Sequence, residues 1–192
     1  GGQGLALDAC GRTAYWGHYY AGLYAVEMDS SAPVVEIVAK SDLPAGAEGV
    51  GSVELDAAMS ALYFLSIDND WGPETKLWTA GTDGSSLTAL GPDHPHHCLA
   101  LDPFAQKIYF TRANSNAGLK IMARADLDGS AVEELFTLPA GWGCGGIALD
   151  PTNGKMYLGL IALMDPTNTA QLVRLDLDGS GQEVLPVAPN SY

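Results

Sequence analysis

Four tyrosines, Tyr15, Tyr63, Tyr109 and Tyr157, and four aspartates, Asp8, Asp56, Asp102 and Asp150, advance along the chain in step, at intervals of 48, 46 and 48 residues. One unit recurs around them. Its clearest copy opens Gly146-Ile147-Ala148-Leu149-Asp150-Pro151, continues through Gly154-Lys155-Met156-Tyr157 and ends Arg174-Leu175-Asp176-Leu177-Asp178-Gly179-Ser180. The third copy reads Leu99-Ala100-Leu101-Asp102-Pro103, Lys107-Ile108-Tyr109-Phe110 and Arg124-Ala125-Asp126-Leu127-Asp128-Gly129-Ser130. Weaker copies begin at Leu5-Ala6-Leu7-Asp8 and Val53-Glu54-Leu55-Asp56. A fixed period of this size signals a repeat architecture, whose units bury their apolar faces only against their neighbours. The repeats divide the chain, a single domain or a fragment of one over 1–192, into 1–46, 47–94, 95–140 and 141–192.

Each unit reads as four short strands. The first carries small and branched apolar residues and stops at the aspartate, whose side chain suits a tight turn because it accepts from backbone N–H groups two residues on. Four aspartates at one repeat position are therefore read as structural. The second strand centres on the tyrosine, with Trp16, Phe64, Phe110 or Leu158 beside it, residues that suit a buried pleated sheet. The third strand, near 23–28, 77–80, 119–126 and 172–177, ends in an Asp-Gly or Asp-Ser hairpin turn. A fourth follows at 34–38, 87–90, 132–135 and 183–185. Four antiparallel strands per repeat make one blade of a β-propeller, so the expected class is all-β with four blades visible.

In such a meander the first-to-second and third-to-fourth turns share one side of the disc. The second-to-third loops (17–22, 66–76, 112–118 and 159–170) and the links between blades (39–51, 91–97 and 137–145) emerge on the other. The first set is short and uniform and the second long and irregular. Binding residues concentrate in irregular loops on a rigid scaffold. All four histidines (His18, His94, His96 and His97) and Tyr19, Tyr20, Trp71 and Trp142 lie there. Of these, Tyr19, Tyr20, Trp71, His96 and Trp142 are the candidate partner-binding residues. Cys98 and Cys144 each stand where a link enters an innermost strand, in consecutive repeats, near enough to the axis for a disulfide. Such a bridge fits an oxidising compartment and leaves Cys10 over.

The formal net charge of −14, with nine scattered Lys and Arg, argues against nucleic acid as a partner. No apolar run approaches the ~18 residues that a membrane span needs. No signal peptide or starting methionine is visible, so a mature product or a fragment is expected. No Asn-x-Ser/Thr site occurs. Asp68-Asn69-Asp70 echoes the opening of a calcium loop without its closing glutamate, so no cofactor is assigned and calcium is the alternative. His94, His96, His97 and Cys98 are dense enough for zinc, but adjacent residues of an extended chain point apart, and no metal site is assigned. Glu54 stands out among the innermost strands, where its equivalents are Ala6, Ala100 and Ala148. It is expected to face a wet central channel or to pair with a cation.

The pattern Gly-[Leu/Ile]-Ala-Leu-Asp-Pro-x-x-Gly-Lys-[Met/Ile]-Tyr followed by Arg-x-Asp-Leu-Asp-Gly-Ser resembles the YWTD repeat of low-density-lipoprotein-receptor-type proteins (class B repeat). The resemblance covers nearly the whole chain and is strongest in the last two repeats. It implies a ring of six blades, an extracellular or cell-surface location and binding of other proteins without chemistry. The Trp-Thr-Asp part is degenerate: it reads Trp16-Gly17-His18, Phe64-Leu65-Ser66, Phe110-Thr111-Arg112 and Leu158-Gly159-Leu160.

Two functions remain. The first is a non-enzymatic interaction or architectural module that binds a protein partner or neighbouring subunit through its looped face. The second is a metal-dependent propeller hydrolase of the gluconolactonase or strictosidine-synthase kind, which needs several ligands at the channel ends of the inner strands. Those positions read Gly4, Ser52, Cys98 and Gly146, with only Glu54 acidic nearby, so the binding module is favoured. With four repeats in place of six, further blades are expected from the same or another chain, leaving Leu5, Leu7, Leu172 and Leu175 on open flanks. A closed ring of four is the alternative.

Overall fold

The computed structural model describes residues 4–29, 31–68, 75–93, 95–113, 120–163 and 169–186. Among them every regular element is a β-strand, apart from single 3₁₀ turns at Lys40–Asp42 and Pro151–Asn153. Blade 1 comprises β1 (Leu5–Asp8), β2 (Thr13–Gly17), β3 (Leu23–Glu27) and β4 (Val35–Val38). Blade 2 comprises β5 (Gly49–Asp56), β6 (Ala61–Ile67), β7 (Lys76–Gly81) and β8 (Thr88–Asp93). Blade 3 comprises β9 (Pro95–Asp102), β10 (Lys107–Ala113), β11 (Lys120–Asp126) and β12 (Glu133–Thr137). Blade 4 comprises β13 (Trp142–Asp150), β14 (Lys155–Ala162), β15 (Ala170–Asp176) and β16 (Glu183–Leu185). Each is an antiparallel meander with its strands in chain order. The inner strands pack in succession, β5 against β1 and β9, and β9 against β13, which sets the four sheets in a propeller arrangement.

The aspartates close the inner turns as their position in the repeat suggests. Asp8 Oδ1 accepts from the N–H groups of Cys10 and Gly11 at 3.0 and 2.7 Å. Asp56 accepts from Ala58 and Met59, and Asp102 from Phe104 and Ala105, all within 3.0–3.2 Å. Asp150 instead caps the 3₁₀ turn that Pro151 begins, accepting from the Asn153 N–H at 3.2 Å. The outer hairpins use a second carboxylate. Asp83, Asp128 and Asp178 accept from the N–H groups of Ser85, Ser130 and Ser180 at 2.8–2.9 Å.

Alternation along the strands gives each blade two unlike faces, and the core lies between blades. Val53, Leu62, Phe64, Trp78 and Ala80 of blade 2 pack on Ala6 and Tyr15 of blade 1. Leu99, Ile108, Phe110, Ala123 and Ala125 of blade 3 pack on Tyr63, Leu65 and Leu77 of blade 2. Met156, Leu158, Val173 and Leu175 of blade 4 pack on Tyr109 and Met122 of blade 3. Each large side chain so buried contributes roughly 1.5–3 kcal/mol relative to exposure. The outer hairpins press home the same contacts. Gly84 abuts the Ile37 carbonyl, Gly129 the Gly91 backbone and Gly179 the Leu135 carbonyl, each in the blade before.

Two expectations are corrected. The links are shorter than the sequence suggests, because their ends continue as strand: β5 starts at Gly49, β9 at Pro95 and β13 at Trp142. A register irregularity in each of these strands, between Val50 and Val53, opposite Phe110/Thr111, and between Cys144 and Gly146, lets pairing with the next strand carry on into the former link. His96 and Trp142 are therefore strand residues. Leu175 is fully buried against blade 3, whereas Leu5, Leu7 and Leu172 are exposed. Leu172 and Leu175 are three apart in a strand of period two, so they point to opposite faces.

Gly129 and Gly141 both hold left-handed backbone, at φ +82° and +81°, but only Gly129 also meets a neighbouring blade. Gly141→Ala should cost about 1–2 kcal/mol of stability from the backbone alone. Gly129→Ala should cost more, because the added Cβ pushes blade 3 off blade 2. Urea denaturation of the two variants checks the order.

Candidate functional site

The looped side of the disc carries a built feature at the junction of blades 1 and 2. After β2 the chain turns through His18–Ala21, with the His18 carbonyl accepting from the Ala21 N–H at 3.0 Å and His18 Nδ1 from the Tyr20 N–H at 3.2 Å. The Val50 N–H of β5 donates to the same His18 carbonyl at 3.0 Å, and Gly49 is the residue that lets the backbone at His18 and Tyr19 approach so closely. On this brace Tyr19 and Tyr20 meet edge to face with centroids 4.8 Å apart. Tyr20 is 68% exposed. The Tyr19 phenol is held above its usual pKa, first by partial burial and then by Tyr20, Glu48 and Asp68. The pair is thus an aromatic knob, with Glu48, paired to Lys40 at 3.4 Å, and the buried Asp68 nearby.

The other expected site residues do not join it. Trp142 opens β13, on the same side of the disc but at the junction of blades 3 and 4, where its half-buried ring packs on the apolar cluster around Leu138 and Leu160. The His96 backbone pairs opposite Thr111 in β9, and its side chain lies outside the described residues. Trp71, His94, Asn69 and Asp70 also lie outside them, as does the His97 side chain. Among the described residues no three His, Cys, Asp or Glu side chains group as a metal site.

A second feature occupies the axis. A cavity of about 430 Å³ is lined by inner-strand residues of all four blades, including Leu5, Ser52, Glu54, Cys98 and Gly146. The Cys98–Cys144 disulfide ties β9 to β13 in its wall, with Cα atoms 6.1 Å apart, and Cys10 is free and exposed. Glu54 and Lys120 are the ionisable side chains of the described lining. Burial pushes the Glu54 carboxyl from its ordinary 4.5 up to about 7 and moves the Lys120 ammonium down. Glu54 was legible as the odd residue of its repeat position. Lys120 was not, since Lys76 also opens the third strand of its blade and nothing in the repeat set Lys120 apart. The sequence also gave no sign of Phe104, 94% exposed in an inner turn on the opposite side of the disc.

No family model matches the sequence, and no curated protein matches it. Solved structures share its fold. A chain of the nidogen/laminin complex aligns over 96% of this chain and 79% of its own length, with TM-score 0.65 and 15% identity. TolB from Acinetobacter baumannii aligns over 95% of this chain and 42% of its own, with TM-score 0.67 and 13% identity. A gluconolactonase from Xanthomonas campestris aligns over 94% and 60%, with TM-score 0.66 and 16% identity. The chain is therefore a β-propeller in arrangement, and its neighbours include enzymes and a component of a protein complex.

The Glu54 shift fixes the sign of one pH dependence. A carboxyl that holds its proton more tightly when folded makes stability fall as pH rises from about 4.5 to about 7 and level off above. Glu54→Gln should remove that slope and stabilise the protein above pH 7, read from urea midpoints across the range. Thiol counting in denaturant should find one reactive cysteine before reduction and three after. Cys98→Ser with Cys144→Ser should cost roughly 2–4 kcal/mol.

Proposed function

We infer that this domain is a non-enzymatic extracellular interaction module that takes a protein partner on its looped side. The observation that carries this reading is the Tyr19–Tyr20 knob, held out on a turn braced by Val50 and Gly49 of the next blade. A braced aromatic pair with the Tyr20 ring exposed presents an amphipathic area with little conformational freedom to lose, which is the character of interface hot spots. The disulfide fits an oxidising compartment, and the nidogen/laminin neighbour supports a propeller used to hold a protein.

Glu54 favours a second reading. A carboxyl with a pKa near 7 in an axial cavity has the character of a general acid or base, and one neighbour is a gluconolactonase. The hydrolase reading requires bound metal in the purified protein and lactone hydrolysis that Glu54→Gln abolishes; the binding reading requires neither.

Screening purified extracellular proteins by surface plasmon resonance tests the module directly. Tyr19→Ala with Tyr20→Ala should weaken the partner found by about 10–100-fold with an unchanged urea midpoint. Phe104→Ala, on the opposite side, should leave affinity unchanged. Equal losses from both would place the contact elsewhere.

A further inference from the structure

The inner strands of blades 2, 3 and 4 break register at nearly the same height, and each break lies on the axial cavity. Pairing of β5 with β6 jumps from Val50 to Val53, that of β9 with β10 passes over His97 and Cys98, and that of β13 with β14 passes over Gly145. Ser52, Cys98 and Gly145 thus have no place in the register, and all three line the cavity. Such irregularities recur beside binding sites, where they re-aim the chain. The wall around them is apolar, with Leu5, Val53, Leu99 and Ile147. A volume of about 430 Å³ is that of a small-molecule site.

The two ionisable groups of the described lining stand toward opposite ends of this space. Glu54 is level with Tyr63, on the side of the short turn that Asp56 closes. Lys120 pairs with Ala113, four residues beyond Tyr109 toward the looped side, and Tyr109 is the counterpart of Tyr63. About 13 Å of strand, at ~3.3 Å per residue, therefore separates their backbones. The place of Glu54 is also peculiar to its blade. Blades 3 and 4 keep a carboxylate on the outer strand, where Glu133 and Glu183 pair with Arg124 and Arg174. Blade 2 has Thr79 and Thr88 at those positions and carries its carboxyl on the inner strand, at the cavity.

We propose that the axial cavity binds a small zwitterion with an ammonium at one end, a carboxylate at the other and an apolar body between. The ammonium meets Glu54, the carboxylate turns to Lys120, and the body lies along Leu5, Val53, Leu99 and Ile147. Moving a charge out of water is costly unless it meets its opposite, so a plain amine or a plain acid satisfies only one end. An α-amino acid carries both charges on one carbon and cannot reach the two. Linear ω-amino acids and short apolar peptides have the required form. The site needs no metal and no contact with Tyr19 or Tyr20, so it stands apart from both functions above.

Isothermal titration calorimetry with a chelator present, at about pH 8 where the Glu54 carboxyl is ionised, tests the proposal. The probes are 8-aminooctanoate and trialanine, with octylamine, octanoate and alanine as controls. At least one zwitterion should bind about tenfold or more tightly than every control, and whichever binds better names the class of ligand. Glu54→Gln and Lys120→Gln should each weaken that binding by about tenfold or more, as loss of a charged hydrogen-bond partner does, with urea midpoints showing both variants folded. Octylamine binding as well as 8-aminooctanoate and trialanine would overturn the proposal. So would the absence of binding by either zwitterion at about 10 mM, weaker than small-molecule sites of use, or wild-type affinity in either variant.

Discussion

The structure depends on a contact that no blade can make alone. A four-stranded sheet of this kind has two apolar faces and too few residues to bury either within itself. Here each face is specialised. One carries the leucine and aromatic row and the other the tyrosine with small neighbours, so blades stack in one sense only. The hairpin glycines Gly84, Gly129 and Gly179 let that stacking reach backbone against backbone. Arg124 then spans the boundary to a carbonyl that already belongs to the next hairpin. The period of the sequence is the chemical image of this one interface.

From the stacking follows a division of labour between the two sides of the disc. Where inner and outer turns close, carboxylates hold the backbone N–H groups and the chain has little freedom. The other side collects the long connections, and there the structure spends neighbouring-blade contacts on a loop with no core of its own, the one that displays Tyr19 and Tyr20. The axis is a third environment. Packing four inner strands around it takes Glu54 out of water, and that burial raises its pKa. The disulfide between β9 and β13 fastens the wall of that space.

The sequence by itself determined the number of blades in the chain, the four strands of each, the role of the repeated aspartates and the pairing of Cys98 with Cys144. All of these rest on periodicity or on backbone hydrogen bonding within a turn, which are local and recur with the repeat. It also marked Glu54, because a carboxylate in a column of alanines breaks the period. Only the tertiary structure decided the rest. Strand pairing runs past an irregularity into the links, so His96 and Trp142 became strand residues. Leu175 and Leu172 took opposite faces, and only Leu175 found a blade to cover it. Tyr19 and Tyr20 stand together while Trp142 belongs to another junction. These outcomes turn on which neighbour lies across from a side chain, and that is set by the stacking of whole blades, a property that no window of the sequence contains.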